Sequence, residues 1–175
     1  MDLKKVLAAS KPTLQEEQHL QRVVKKVISK IKIPGAIPIL GGSGAKNTWL
    51  KGTHDIDIYV KFKVKQYSQK SDQLADILEK ELKKHFKIER LHGSRDYYQI
   101  NLPPYTVEVV PILDIKKASE AQNITDFSHL HVQYVQKHKK LADDIRLAKL
   151  FAKAQGVYGA ESYIQGFSGY VLELL

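Results

Sequence analysis

Asp55 and Asp57 stand two residues apart in the run Thr53-His-Asp-Ile-Asp-Ile-Tyr-Val60, which follows closely on Gly41-Gly42-Ser43. The alternation is that of a β-strand, so the two carboxylates project from one side while Ile56 and Ile58 project from the other toward a core. Two carboxylates on one face can hold Mg²⁺. The apolar stretch Ile37-Pro-Ile-Leu40 is expected to be a short buried strand. The Gly-Gly-Ser turn after it would offer backbone N–H groups and a hydroxyl to an anion where a helix begins. Gly-Ser turns and Asp-x-Asp pairs are each common without chemistry, but their order and spacing here place a phosphate cradle beside a metal site. That pairing implies nucleotidyl transfer.

A third carboxylate is expected, because in-line displacement at phosphorus is served by metal ions that share acids between the attacking and leaving oxygens. In Tyr105-Thr-Val-Glu-Val-Val-Pro111, Val107, Val109 and Pro111 share one face and Glu108 takes the other, which makes Glu108 the candidate. The competing reading is an exposed glutamate on a half-buried strand. Zinc is not indicated: His129 and His131 are spaced wrongly for one helix face, and His54 lies on the opposite side of its strand from the acids. Ser43 sits in a phosphate-type turn rather than a nucleophile elbow, so hydrolase chemistry has no support.

The elements that must carry these residues are legible in outline. Thr13-Leu-Gln-Glu16 is a capping box, and Leu20, Val23, Val24, Val27, Ile28 and Ile31 repeat at helical spacing until Pro34-Gly35. Ser71 is expected to open a second amphipathic helix through Leu74, Ile77, Leu78, Leu82 and Phe86. Strands are expected near Lys87–Leu91, Tyr97–Leu102 and Tyr105–Val110, separated by Gly93-Ser94-Arg95-Asp96 and by Pro103-Pro104. From about Asp126 the pattern turns helical, with Ile145, Ala148, Phe151 and Ala152 as a buried stripe and Arg146, Lys149 and Lys153 as one basic face. The fold class is α+β, a mixed or antiparallel sheet backed by helices. Residues 1–115 form the first unit and 116–175 a helical segment.

The run Gly42-Ser43-Gly-Ala-Lys46-Asn-Thr48-Trp49-Leu50-Lys51-Gly52-Thr-His-Asp55-Ile-Asp57 resembles the signature of the archaeal (class I) CCA-adding enzymes, the tRNA nucleotidyltransferases. Val107-Glu108-Val109-Val110-Pro111 resembles that family's third-acid strand, and Arg146 to Leu175 resembles its Gly-x-Tyr-Gly-Ala-Glu and Gly-Phe-Ser-Gly-Tyr blocks. The resemblance implies a nucleotidyltransferase palm as catalytic head, followed by the start of a helical neck. It implies Asp55, Asp57 and Glu108 as ligands of two Mg²⁺ ions. Gly42, Ser43, Lys46, His131, Lys149 and Tyr158 would form the nucleotide site, with ATP and CTP as substrates and tRNA as acceptor. This chain departs from the family pattern in having Glu108 for Asp, Lys46 for Arg, and Phe127 and His129 for Arg and Pro. It also stops at Leu175, whereas family members continue into further domains. A catalytic subunit needing a second chain, or a homo-oligomer, is therefore a second expectation. A relative of the same fold acting on another acceptor, an oligoadenylate or a protein, is a third.

Composition agrees with a polyanionic partner. Lys and Arg number 28 against 19 Asp and Glu in 175 residues, a formal net charge of +9, and basic contacts to phosphates release counterions. Lysine-rich surfaces also serve solubility. The chain has no cysteine, and neither a signal-peptide core nor an apolar span of membrane length is visible, so the expectation is a cytoplasmic protein without a membrane partner.

Overall fold

The structure, a computed structural model, describes residues 2–175. Its centre is a five-stranded mixed sheet of order β1-β2-β5-β4-β3. The strands are β1 (Ala36–Leu40), β2 (Asp55–Phe62), β3 (Glu89–Leu91), β4 (Tyr97–Leu102) and β5 (Tyr105–Leu113). β2 and β5 run parallel in the middle, with Asp57 opposite Glu108, and the remaining pairs are antiparallel. In β2 the residues Ile56, Ile58, Val60 and Phe62 are buried, while the intervening positions are at least partly exposed. That alternation carries the acids to the face opposite the core.

Helix α1 spans Leu3–Ser10 and α2 spans Leu14–Ile28. The Thr13–Glu16 capping box closes α2 reciprocally, and its buried stripe of Leu20, Val23, Val24 and Val27 packs against the sheet. Each such aliphatic side chain contributes about 1.5–3 kcal/mol by leaving water. α4 (Val64–Tyr67) and a 3₁₀ turn from Ser68 to Gln73 lead into α5, Leu74–Leu82. The helix expected to open at Ser71 thus starts at Leu74, and Phe86 lies in the turn beyond its end. α5 buries Leu74, Ala75, Leu78 and Leu82 in the same core as α2.

The remaining helices are α3 (Gly42–Lys46), α6 (Ser128–Lys137), α7 (Ala142–Ala154) and α8 (Gly169–Leu174). A buried ion pair fixes where α6 begins. The Arg95 guanidinium reaches Asp126, Ser71, Thr125 and the Pro111 carbonyl, while Asp126 also accepts the N–H groups of Leu113, Gln122 and Asn123. The end of β5 is thereby tied to the entrance of α6. α6 in turn steadies α3, since Gln136 donates to the Ala45 carbonyl at 2.8 Å.

One sequence expectation fails in α7: Phe151, placed in the buried stripe, is 68% exposed, although Ile145 and Ala152 are buried as expected. Of the expected basic face, Arg146 and Lys149 are buried, while Lys153 is exposed. α7 packs against α1 and α8, and it needs those two cations inside to hold the loop that follows α3.

Candidate active site

The turn between β1 and α3 is shaped by its glycines. Gly42 has φ +51°, and a Cβ there would collide with the Asp57 carboxylate, so only glycine lets the turn lie directly on that acid. The turn is braced from below: Gly41 N–H donates to the Asp57 carbonyl at 2.8 Å and Gly42 N–H to the Tyr59 hydroxyl at 3.2 Å. Ser43 and Lys46 follow one helical turn apart on α3, hence on a common side.

Asp55 and Asp57 project from β2 as expected, and the parallel register brings Glu108 beside Asp57. Burial first, then the neighbouring Glu108 charge, pushes the Asp57 carboxyl from its ordinary value up to about 6. Glu108 accepts a hydrogen bond from the Gln99 amide at 2.9 Å. Among the described residues none of the three acids has a salt-bridge partner, so their mutual repulsion is left for a bound cation to relieve. Hard carboxylate oxygens carrying uncompensated charge are the donor set a divalent ion takes. With the side chains as they stand, no group of three potential ligands among the described residues converges on one point.

On the other side of the turn lies a set of cations. Lys46 is 9% exposed and Lys149 3%. The Glu173 carboxylate on α8 joins them, with Oε2 at 2.5 Å from Lys46 Nζ and Oε1 at 2.7 Å from Lys149 Nζ. Thr48 donates its hydroxyl to the same Oε1 at 2.6 Å. Burial would raise the Glu173 carboxyl, but the two ammonium groups outweigh it and hold it below the ordinary carboxylate value. Burial lowers the Lys149 ammonium against the opposing pull of Glu173. Arg146 completes the arrangement by donating to the backbone carbonyls of Asn47 and Trp49, which pins the loop between α3 and β2 onto α7.

His131, on α6, is layered between Phe127 at 6.3 Å and Tyr170 at 4.1 Å between ring centroids, and Lys46 lies over the Tyr170 ring at 5.5 Å. Burial, then the Lys46 charge, keeps His131 below the ordinary histidine range and so uncharged at neutral pH. Tyr158 bridges to Phe167 ahead of α8, and Gly169 approaches so closely that a Cβ would lie 2.8 Å from the Tyr158 hydroxyl. Of the expected residues, Asp57 and Glu108 are paired in register, the Gly42 turn lies on Asp57, Lys46 and Lys149 meet through Glu173, and His131 and Lys46 both lie against Tyr170.

Comparison with known proteins places the chain in a family. Residues 20–140 match the family model described as nucleotidyltransferase domain, and residues 143–175 match that of the tRNA nucleotidyltransferase second domain. The chain belongs to the nucleotidyltransferase family. It is 44% identical over 138 residues to the CCA-adding enzyme of Nanoarchaeum equitans, covering 78% of this chain and 34% of that protein. To the CCA-adding enzyme of Sulfurisphaera tokodaii it is 36% identical over 175 residues, covering 97% of this chain and 41% of the relative. The chain thus spans about two fifths of the length of the curated relatives it matches. Among solved structures, the Cid1 RNA terminal uridylyl transferase superposes with a TM-score of 0.75 at 16% identity, over 98% of this chain and 49% of that one. A cytoplasmic RNA terminal U-transferase superposes with 0.71 at 18% identity, over 98% and 50%. At such identities the structural likeness speaks for the fold, which is that of the nucleotidyltransferases.

Sequence reasoning gave no role to Glu173, Thr48, Gln99, Tyr59 or Tyr170. For Glu173 a signal was present: it is the one charge in Val171-Leu-Glu-Leu-Leu175, and a lone charge in an apolar run calls for a partner. The partners of Gln99 and Tyr59 depend on strand register, which no local pattern reports.

Proposed function

We propose that this chain is the catalytic head of a CCA-adding nucleotidyltransferase, transferring nucleotides from CTP and ATP to the 3′ end of tRNA without a template. The observation that carries this reading is the direct seating of the Gly42-Ser43 turn on Asp57, with Asp55 on the same strand face, Glu108 in register and Lys46 beside the turn. The similarity to proteins named CCA-adding enzymes supports nucleotide addition to an RNA end as the reaction.

In this reading Ser43 and Lys46 bind the triphosphate. Tyr158 and Lys149 close its far side, and His131 lies beside Lys46 as an uncharged ring. Asp55, Asp57 and Glu108 would hold two Mg²⁺ ions. Such ions would make the RNA 3′-hydroxyl more acidic and neutralise the departing pyrophosphate. The 3′-oxygen gives up its proton to water and forms its bond to the α-phosphorus as the bond from that phosphorus to the α–β bridging oxygen breaks and pyrophosphate leaves. The three acids fix the reacting groups in line by position rather than by covalent chemistry.

Glu108 tests the reading most sharply. Glu108→Asp is expected to keep or raise nucleotide transfer, since it restores the side chain that the CCA-adding family pattern has. Glu108→Gln keeps the volume and the Gln99 contact but is expected to lower transfer by on the order of 100-fold or more. The measurement is extension of a tRNA lacking its 3′ CCA, resolved on a gel. Equal activity of Glu108→Gln and the parent would return Glu108 to the status of a surface strand residue.

A further inference from the structure

Lys149 has no N–H group to spare. A lysine ammonium carries three donors. Those of Lys149 meet the Thr48 carbonyl at 3.3 Å, the Thr48 hydroxyl at 3.1 Å and Glu173 Oε1 at 2.7 Å. Lys46 differs: among the described residues its ammonium has one hydrogen-bond acceptor, Glu173 Oε2. It sits one turn after Ser43 on α3, and its charge is felt by Asp57. One lysine is therefore locked into the frame, and the other is held at a single point with donors left over.

Between them stands a carboxylate whose side chain is 1% exposed. Burying an ion in this way costs several kcal/mol unless its lone pairs are filled, and here Lys46, Lys149 and Thr48 fill them. α8 is only six residues long, and Glu173 is its one charged side chain. The same helix brings Tyr170 against His131 and under Lys46. α8 is thus shaped around the Lys46 ammonium.

We propose that Glu173 is a positioning residue for the nucleotide triphosphate: it ties the Lys46 ammonium to the immobile Lys149–Thr48 pair and so fixes the direction of the N–H groups that Lys46 presents beside the Ser43 turn. The proposal rests on the nucleotide-site reading above and assigns different tasks to two lysines that otherwise look equivalent. Lys46 donates to the triphosphate. In this structure the three Lys149 donors are taken by Thr48 and Glu173, and Lys149 supplies charge and anchorage on the far side of the triphosphate.

Equilibrium titration with CTP and with ATP in Mg²⁺ tests this on the parent chain, Glu173→Gln, Lys46→Gln and the double variant. Glu173→Gln is expected to weaken binding about tenfold, and to add little once Lys46 is already changed, because coupled residues do not contribute independently. In the transfer assay its KM should rise while kcat stays within about threefold of the parent's. Parental or tighter binding by Glu173→Gln overturns the proposal, and so does a loss of the same factor with and without Lys46. If Glu173→Gln does not fold, Glu173→Asp carries the test. It keeps the charge but draws it back by one methylene, and an affinity equal to the parent's overturns the proposal. A parent chain that binds no nucleotide instead refutes the nucleotide-site reading itself, a result distinct from a parent that binds while Glu173 is silent.

Discussion

Asp57 is the residue whose energetics say most about the site. Its folded-state pKa of about 6 lies above the ordinary carboxylate value of 3.8, through burial and then the Glu108 charge. The folded, metal-free chain therefore holds that proton more tightly than the unfolded chain. The resulting stabilisation is complete below about pH 4 and is lost as the pH rises through about 6. In a chelating buffer at pH 7.5, Asp57→Asn is expected to melt higher than the parent, by on the order of 1 kcal/mol after allowance for partial solvent contact. At pH 4 the two should melt together. Thermal denaturation at both pH values checks this, and a variant that melts lower at pH 7.5 would mean that Asp57 is a structural carboxylate. The Asp-x-Asp spacing disclosed the acid pair because period-two geometry is local. The hold of Gln99 on Glu108 depends on the pairing of β4 with β5 and was invisible.

At the scale of elements, the parts legible in the sequence are those whose signal is complete within themselves. α2 carries its own capping box and stripe, and β2, β4 and β5 lie between turn residues. α1 escaped notice: it is only eight residues long with Ser10 its one buried residue, and it is held by contacts from afar, including the Lys11–Asp143 pair at 2.7 Å and the Lys51 N–H to the Ser10 carbonyl at 2.8 Å. The stripe on α7 was drawn too wide, because helical spacing does not say which end of an arc meets a neighbour, and Phe151 falls outside the contact. The join between β5 and α6 depends on the Arg95–Asp126 pair. Arg95→Ala would leave a buried carboxylate satisfied by backbone N–H groups but uncompensated in charge. It is expected to cost about 3–5 kcal/mol in a denaturant titration and to disturb His131, which α6 carries. A loss below about 1 kcal/mol would show the pair to be incidental.

For the whole molecule, the net charge of +9 bears on how the proposed tRNA acceptor would be held. Binding carried by phosphate contacts follows the logarithm of salt concentration. If about six phosphates are neutralised, affinity for a tRNA should fall roughly a thousandfold between about 50 and 200 mM salt. A filter-binding or anisotropy series measures the slope, and a flat one would mean that shape recognition dominates instead. Charge and composition were readable from the outset. The arrangement of the buried cations was not, because Lys46, Lys149 and Glu173 come from three helices that meet only in the folded chain.

The central claim is that the acids of β2 drive nucleotide addition to an RNA 3′ end. Its most direct measurement is transfer of labelled CTP and ATP to a tRNA that lacks its terminal CCA, with Mg²⁺ and saturating RNA, by the parent chain and by Asp57→Asn side by side. The parent should lengthen the RNA at its 3′ end, and Asp57→Asn should leave it at its original length while melting no lower than the parent at neutral pH. An RNA that the parent leaves unextended, or one that Asp57→Asn extends at the parental rate, would contradict the assignment.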